Sequence, residues 1–203
     1  MLDLLKTRWR QGYQTTPFPN GTVTLPEGFR GRPTVDASAC PANGCNACAA
    51  SCPTQAIATD PLRIDLGACL FCGQCQQACG PGALTFGNDF RLASRRRQDL
   101  VISGSESQKL QALNAAMQRL FGRSLKLRQV SAGGCNGCEA ELVATGNVVF
   151  DLKRFGIQFV ASPRHADGIV ITGPVTTNMV RALRETYQAV PTPKLVVAVG
   201  ACA

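Results

Sequence analysis

No run of apolar residues in this chain approaches the ~18 that a membrane-spanning helix needs, although hydrophobic residues make up 45% of it. The chain is therefore not expected to cross a bilayer by itself. Its opening residues, MLDLLKTRWRQ, lack the long uncharged core and small-residue cleavage site of a secretory signal, which points to the reducing cytoplasm and away from disulfides. There is a single histidine, His165, in the loop SPRHADG. Without a second one nearby it reads as a structural residue. No paired carboxylates and no nucleophile-base constellation argue for catalysis by this chain alone. The densest basic run, Arg95-Arg96-Arg97, has no interleaved aromatics. It reads as a solvated face or a subunit contact, and nucleic-acid binding is not expected.

What the chain has in abundance is cysteine: eleven in 203 residues. That length accommodates two small domains, at roughly 100 residues per core. The formal charge of +8 counts every thiol as neutral, an assumption that fails if the thiols are metal ligands. Each four-iron cluster with four thiolates carries about −2, so two would lower the balance to about +4.

Between Val35 and Phe90 the sequence repeats itself. VDASAC returns as IDLGAC, and CPTQAI returns as CGPGAL. Each copy of this internal duplication carries four cysteines: Cys40, Cys45, Cys48 and Cys52 in the first, Cys69, Cys72, Cys75 and Cys79 in the second. The second copy has the C-x2-C-x2-C-x3-C spacing of two-cluster ferredoxins, where the fourth cysteine of each copy ligates the other copy's cluster. One 4Fe-4S cluster is therefore expected on Cys40, Cys45, Cys48 and Cys79, and another on Cys69, Cys72, Cys75 and Cys52. Pro53 keeps the loop after Cys52 from continuing as helix. The first copy departs by placing four residues, PANG, between Cys40 and Cys45. Asn43-Gly44 would absorb them in a turn that bulges outward. Zinc is the alternative occupant, but zinc modules usually set two C-x2-C pairs a dozen or more residues apart.

FGNDFRLASRRRQDL reads as a peripheral extension, and SESQKLQALNAAMQRLFG as a helix bridging two domains, with Ser105 and Gln108 as a capping box and Leu110, Leu113 and Met117 as its stripe. From Leu125 the rhythm becomes strand, loop, helix. LKLRQV, GIQFVAS, GIVITG and KLVVAVG are strand-like, CEAELVATG is a short helix, and TTNMVRALRETYQ a longer one capped by Thr176 or Thr177. Such alternation predicts a parallel, doubly wound sheet with ligands beyond its carboxyl edge. The fold expected is an α+β two-cluster ferredoxin domain followed by an α/β, flavodoxin-like parallel-sheet domain, incomplete at the C-terminus. The expected divisions are an extension at 1–33, the ferredoxin domain at 34–90, a linker with its helix at 91–123 and the sheet domain at 124–203.

Cys135 and Cys138 follow the first strand of that sheet, and Cys202 follows the last. Three thiols at one rim, two of them at a helix N-terminus that favours an anionic cluster, suggest a third iron-sulfur site. The alternative is a redox C-x-x-C with Cys202 as a core thiol. Leu2, Leu5 and Trp9 share one face of a short basic helix candidate that could rest on a membrane subunit or on lipid headgroups.

PEGFRGRPTVDASAC with the double cysteine repeat resembles the ferredoxin-type subunit of membrane-bound group 4 nickel-iron hydrogenases, including formate hydrogenlyase, and its complex I relative. The remainder, from GRSLKLRQVSAGGCNGCEAEL to PKLVVAVGACA, is similar to the small subunit of those hydrogenases. The chain reads as a fusion of the two. The spacing C-N-G-C-E favours the hydrogenase branch over complex I, whose homologue has adjacent cysteines. The resemblance implies that Cys135, Cys138 and Cys202 ligate a proximal 4Fe-4S cluster near a partner's nickel-iron centre. The family's fourth cysteine, in a GCPP-like segment past G-x-C-A, does not occur here, so the chain is a fragment or another polypeptide supplies that ligand. Glu139 is either a proton-path residue or a carboxylate stabilised by the helix dipole.

The partners implied are a hydrogenase large subunit, membrane-arm subunits, and a donor subunit or ferredoxin. The expected place is the inner face of the cell membrane, held there peripherally. The alternatives are a complex I-like quinone oxidoreductase subunit and a freestanding ferredoxin-type carrier.

Overall fold

The structure is a computed structural model, and it describes residues 2–41, 45–104, 122 and 124–203. The chain divides into two compact units. One is built from the described residues between Leu25 and Ala115, with Gly200–Cys202, and the other from those up to Thr24 and between Ala116 and Val199, with Ala203. The expected helix over SESQKLQALNAAMQRLFG and the Asn43-Gly44 turn lie outside the described residues, apart from Gly122.

The duplication is visible in the first unit as strand pairing. Strands β1 (Pro33–Val35) and β4 (Leu84–Phe86) pair antiparallel, as do β2 (Ile57–Thr59) and β3 (Leu62–Asp65). Each copy contributes a strand, a cysteine loop, a one-turn helix and a second strand. The helices are α2 (Ala47–Ala50) and α3 (Gln74–Ala78). Val35 stands opposite Leu84 in one pair and Ile64 opposite Ile57 in the other. These four side chains occupy matching places in the two copies and are all buried. They form the centre of one core with Leu62, Leu66, Ala83 and Ile102.

The stretch expected as a peripheral extension, residues 86–100, leads directly into a strand. Val101–Ser103 forms a strand, β5, that pairs with β3, and Ile102 enters the core. A 3-10 turn at Arg97–Leu100 leads into it. Of the basic run, Arg97 pairs with Asp65 while remaining exposed. Its guanidinium donates to both carboxylate oxygens of Asp65, at 2.7 and 2.6 Å, and lies where a side chain at Gly67 would otherwise stand.

The second unit is a four-stranded parallel sheet in the order β7-β6-β8-β9, with β6 at Leu125–Ser131, β7 at Ile157–Phe159, β8 at Gly168–Thr172 and β9 at Leu195–Val199. Central β8, GIVIT, is apolar almost throughout because neighbours cover both of its faces. Edge strand β9 alternates between half-buried and exposed positions. Among the described residues, helix α4 (Gly137–Ala144) follows β6 and helix α5 (Thr177–Ala189) lies between β8 and β9 in the chain. Leu183 of α5 packs with Ala166, Ile169 and Val190.

Thr176 stands at the N-cap of α5, but its side chain makes no capping hydrogen bond. Its backbone N–H instead donates to Ala132 O at 3.0 Å. Gly133, at φ +97°, leaves room for the threonine: a Cβ there would approach Thr176 Cγ2 to 2.5 Å. Residues 15–18 are stitched to the loop 148–155 of this unit. Thr16 N–H donates to Val149 O, Arg154 donates to Thr16 O and Phe18 O, and the Phe18 and Phe155 rings meet edge to face. Helix α1 (Leu2–Gln11) buries none of its residues.

Candidate metal centre

In the first unit the two copies place three of their four thiols alike, the exception being half-buried Cys40 against buried Cys69. Cys48 on α2 and Cys75 on α3 are buried, Cys45 and Cys72 are exposed, and Cys52 and Cys79 are half-buried. Helix α2 ends at Ala50, ahead of Cys52-Pro53, while Cys79 is itself the C-cap of α3 and turns extended. Each helix is thus too short to carry its last cysteine onward, and that cysteine is free to face elsewhere.

Where they face is recorded by the cavity and by mutual repulsion. A cavity is lined by Cys52 of the first copy and by Cys69, Cys72 and Cys75 of the second, together with Ile57, Ile64 and Phe86. Burial pushes the Cys75 thiol up to about 11, and the neighbouring Cys69, Cys72 and Cys52 push the same way. Burial also raises Cys69, as do Cys52 and Cys72. Cys48 belongs to a different neighbourhood. Burial raises it first, then Cys79 and Cys40. Cys45 is exposed beside residues outside the description.

Cys52 goes the other way. Burial would raise it, but the Ala56 N–H, 3.2 Å from its Sγ, and the Thr54 hydroxyl, 3.7 Å away, outweigh that and lower it. The Phe71 N–H donates to Cys69 Sγ at 3.4 Å. Four thiolates around one space, of which only Cys72 is exposed, repel each other unless a cationic core stands between them. All eleven cysteines are free of disulfides. Among the described residues no three His, Cys, Asp or Glu side chains come as close together as a single ion requires. A zinc ion at 2.3 Å from each sulfur would hold its thiolates about 3.8 Å apart, whereas a four-iron core spreads them wider. The donor set and its N–H contacts fit an iron-sulfur cluster.

In the second unit the sheet's register prepares an edge. Ser131, Thr172 and Val199 are the last residues of β6, β8 and β9, and they stand side by side. Cys135 and Cys138 follow the first of these ends and Cys202 the last. Cys135 and Cys202 are exposed and Cys138 is half-buried. The loop before α4 passes against Gly173, which has φ +83°. A Cβ there would come within 2.5 Å of Gly134 N, so glycine is required on steric as well as conformational grounds.

Glu139 in the first turn of α4 is buried. Both Ser131 Oγ and Thr172 Oγ1 donate to its Oε1, at 2.7 and 2.6 Å, and together they hold its carboxyl below the ordinary value. The carboxylate therefore ties the start of α4 to the ends of β6 and β8. The part played by Ser131 and Thr172 could have been suspected only from their shared position, each the last strand residue before a glycine-bearing loop. His165 is exposed in a short 3-10 turn, Pro163–His165. Among the described residues no helix is long and apolar enough to cross a membrane.

Residues 32–80 match the family described as 4Fe-4S dicluster domain, and residues 135–203 match NADH ubiquinone oxidoreductase, 20 Kd subunit. An iron-sulfur electron-transfer role is supported. The chain is 40% identical over 102 residues, half of its length, to a probable membrane-bound hydrogenase subunit of Pyrococcus furiosus. It is 37% identical over 111 residues, 55% of its length, to formate hydrogenlyase subunit 7 of Escherichia coli. Over 66 residues, 32% of its length, it is 53% identical to an NADH-quinone oxidoreductase subunit of Citrifermentans bemidjiense. The matches span 61%, 44% and 39% of those relatives, so the chain covers less than two thirds of each.

Proposed function

We propose that the chain is an iron-sulfur electron-transfer subunit of a membrane-associated nickel-iron hydrogenase complex of the formate hydrogenlyase kind. One cluster is held by Cys69, Cys72, Cys75 and Cys52, a second by Cys40, Cys45, Cys48 and Cys79. A third, proximal to a partner's nickel-iron centre, takes Cys135, Cys138 and Cys202 with a fourth ligand from outside these residues. The observation that carries the reading is the single cavity lined by three thiols of one copy and the last thiol of the other, the exchange expected of a two-cluster ferredoxin. The strand order β7-β6-β8-β9 is the 2-1-3-4 order of a flavodoxin-like sheet and supports ligand binding at its carboxyl edge.

When bound, the clusters store and release single electrons. The protein's own residues exclude water with Ile57, Ile64 and Phe86, set thiolate charge through N–H donors, and lock α4 through Glu139. The partners in this reading are a hydrogenase large subunit, membrane-arm subunits and an electron donor. Attachment to the inner face of the membrane is peripheral, and Leu2, Leu5 and Trp9, exposed on α1 beside Lys6, Arg8 and Arg10, suit it. A complex I-like subunit is the second reading, favoured by the 53% identity over 66 residues.

Anaerobic purification with iron, sulfide, zinc and EPR analysis tests the proposal. About eight irons per chain are expected for the chain alone and about twelve with its partners, whereas zinc without sulfide overturns it. Recovery of nickel with the complex separates the hydrogenase reading from the complex I one.

A further inference from the structure

The two copies of the cysteine repeat match in strand pairing, yet differ two residues after the last cysteine of each. Thr54 follows Cys52 where Pro81 follows Cys79. The Thr54 hydroxyl lies 3.7 Å from Cys52 Sγ and lines the cavity shared with Cys69, Cys72 and Cys75. The Ala56 N–H reaches the same sulfur. Proline has neither a hydroxyl nor an N–H to offer, so Pro81 cannot give Cys79 the contact that Thr54 gives Cys52.

We propose that Thr54 is a tuning residue: its hydroxyl donates to Cys52 Sγ and raises the reduction potential of the cluster held by Cys52, Cys69, Cys72 and Cys75, without acting on the other. The inference rests on the iron-sulfur reading above. On reduction the cluster takes up one electron from its donor and its core passes from 2+ to 1+, with no bond made or broken. The added charge spreads onto the sulfurs, so a hydrogen bond to sulfur stabilises the reduced form more than the oxidised one. Burial acts the other way, since a low-dielectric pocket disfavours added negative charge. Cys69 and Cys75 are both buried, whereas only Cys48 is buried in the other set. The hydroxyl therefore offsets the greater burial of its own cluster and keeps the pair close enough in potential to exchange electrons.

The test is an EPR-monitored redox titration of the full chain, purified anaerobically, as wild type, Thr54→Val and Thr54→Ser. Valine puts a methyl in the place of the hydroxyl and excludes a substituting water. Because Thr54 is exposed, all three should fold. In Thr54→Val one wave should fall, its reduction equilibrium shifting threefold to tenfold, the latter about 59 mV for one electron. The other wave should stay, and Thr54→Ser should match wild type. Two unmoved waves, two equally moved waves, or a serine variant that shifts like valine would each overturn the role of Thr54. Fewer than about eight irons in the wild type would instead remove the iron-sulfur reading beneath it.

Discussion

The two units handle their cysteines in opposite ways. In the first, thiols ride on one-turn helices and tight loops, and the core that buries Val35, Leu84, Ile57 and Ile64 also draws Cys48, Cys69 and Cys75 inside. In the second, the sheet leaves Cys135 exposed beyond the end of β6 and fixes only the approach, through Glu139, Ser131 and Thr172. The first unit encloses a site by folding. The second leaves Cys135 exposed beyond an edge that the strand register aligns.

The contrast can be broken most severely at Cys75. Cys75→Ala should cost the first unit one whole cluster, a drop of about four irons per chain, while Cys135→Ala in the chain without partners should leave the iron count near eight. Next comes packing. Leu84 is fully buried at the centre of the first unit, and Leu84→Ala should destabilise the protein by about 2–5 kcal/mol in chemical denaturation. Ile169→Ala, in the other unit, should cost a similar amount without altering EPR of the ferredoxin clusters.

A smaller effect is expected at the Asp65–Arg97 pair. The Arg97 hydrogen bonds hold the Asp65 carboxyl below its ordinary value, against burial and with help from the Gly67 N–H. A depressed native value means the stabilisation is present above the unfolded value of about 3.9 and is lost as pH falls through the native one. With side-chain exposures of 58% for Arg97 and 30% for Asp65, solvent screening limits the pair to about 0.2–1 kcal/mol. Arg97→Gln should lose that much at pH 7, and the gap to wild type should close below about pH 4. Least of all, for stability, should be Trp9→Ala. Trp9 is 89% exposed, so the change should stay within about 0.5 kcal/mol in thermal unfolding, yet weaken co-sedimentation with membranes.

Much of this was legible in the sequence, and the reason is periodicity. The apolar run of β8 and the recurring VDASAC and IDLGAC have few folded alternatives, and the cysteine spacing points to its chemistry. What stayed hidden depends on distant partners. Val101–Ser103 follows a polar, arginine-rich stretch and is only three residues long, so nothing local marks it as the third strand beside β3. The convergence of Ser131 and Thr172 on Glu139 exists only because residues 41 apart are in register. Thr176 has the residue type of a cap, but its side chain lies against Gly133 and makes no capping hydrogen bond.

The pairing of β1 with β4 has a topological consequence. Pro33 and Phe86 are partners across that ladder, so the two ends of the duplicated module stand about 5 Å apart, while its midpoint, Asp60-Pro61, is an exposed connection between β2 and β3. The module is in effect a closed ring cut at an arbitrary point. A version that begins at Pro61, runs through β4, and returns through a short linker to β1 would keep every strand pair within the repeat. For a duplicated fold of this kind, chain order within the repeat is a matter of inheritance, and the architecture does not depend on it.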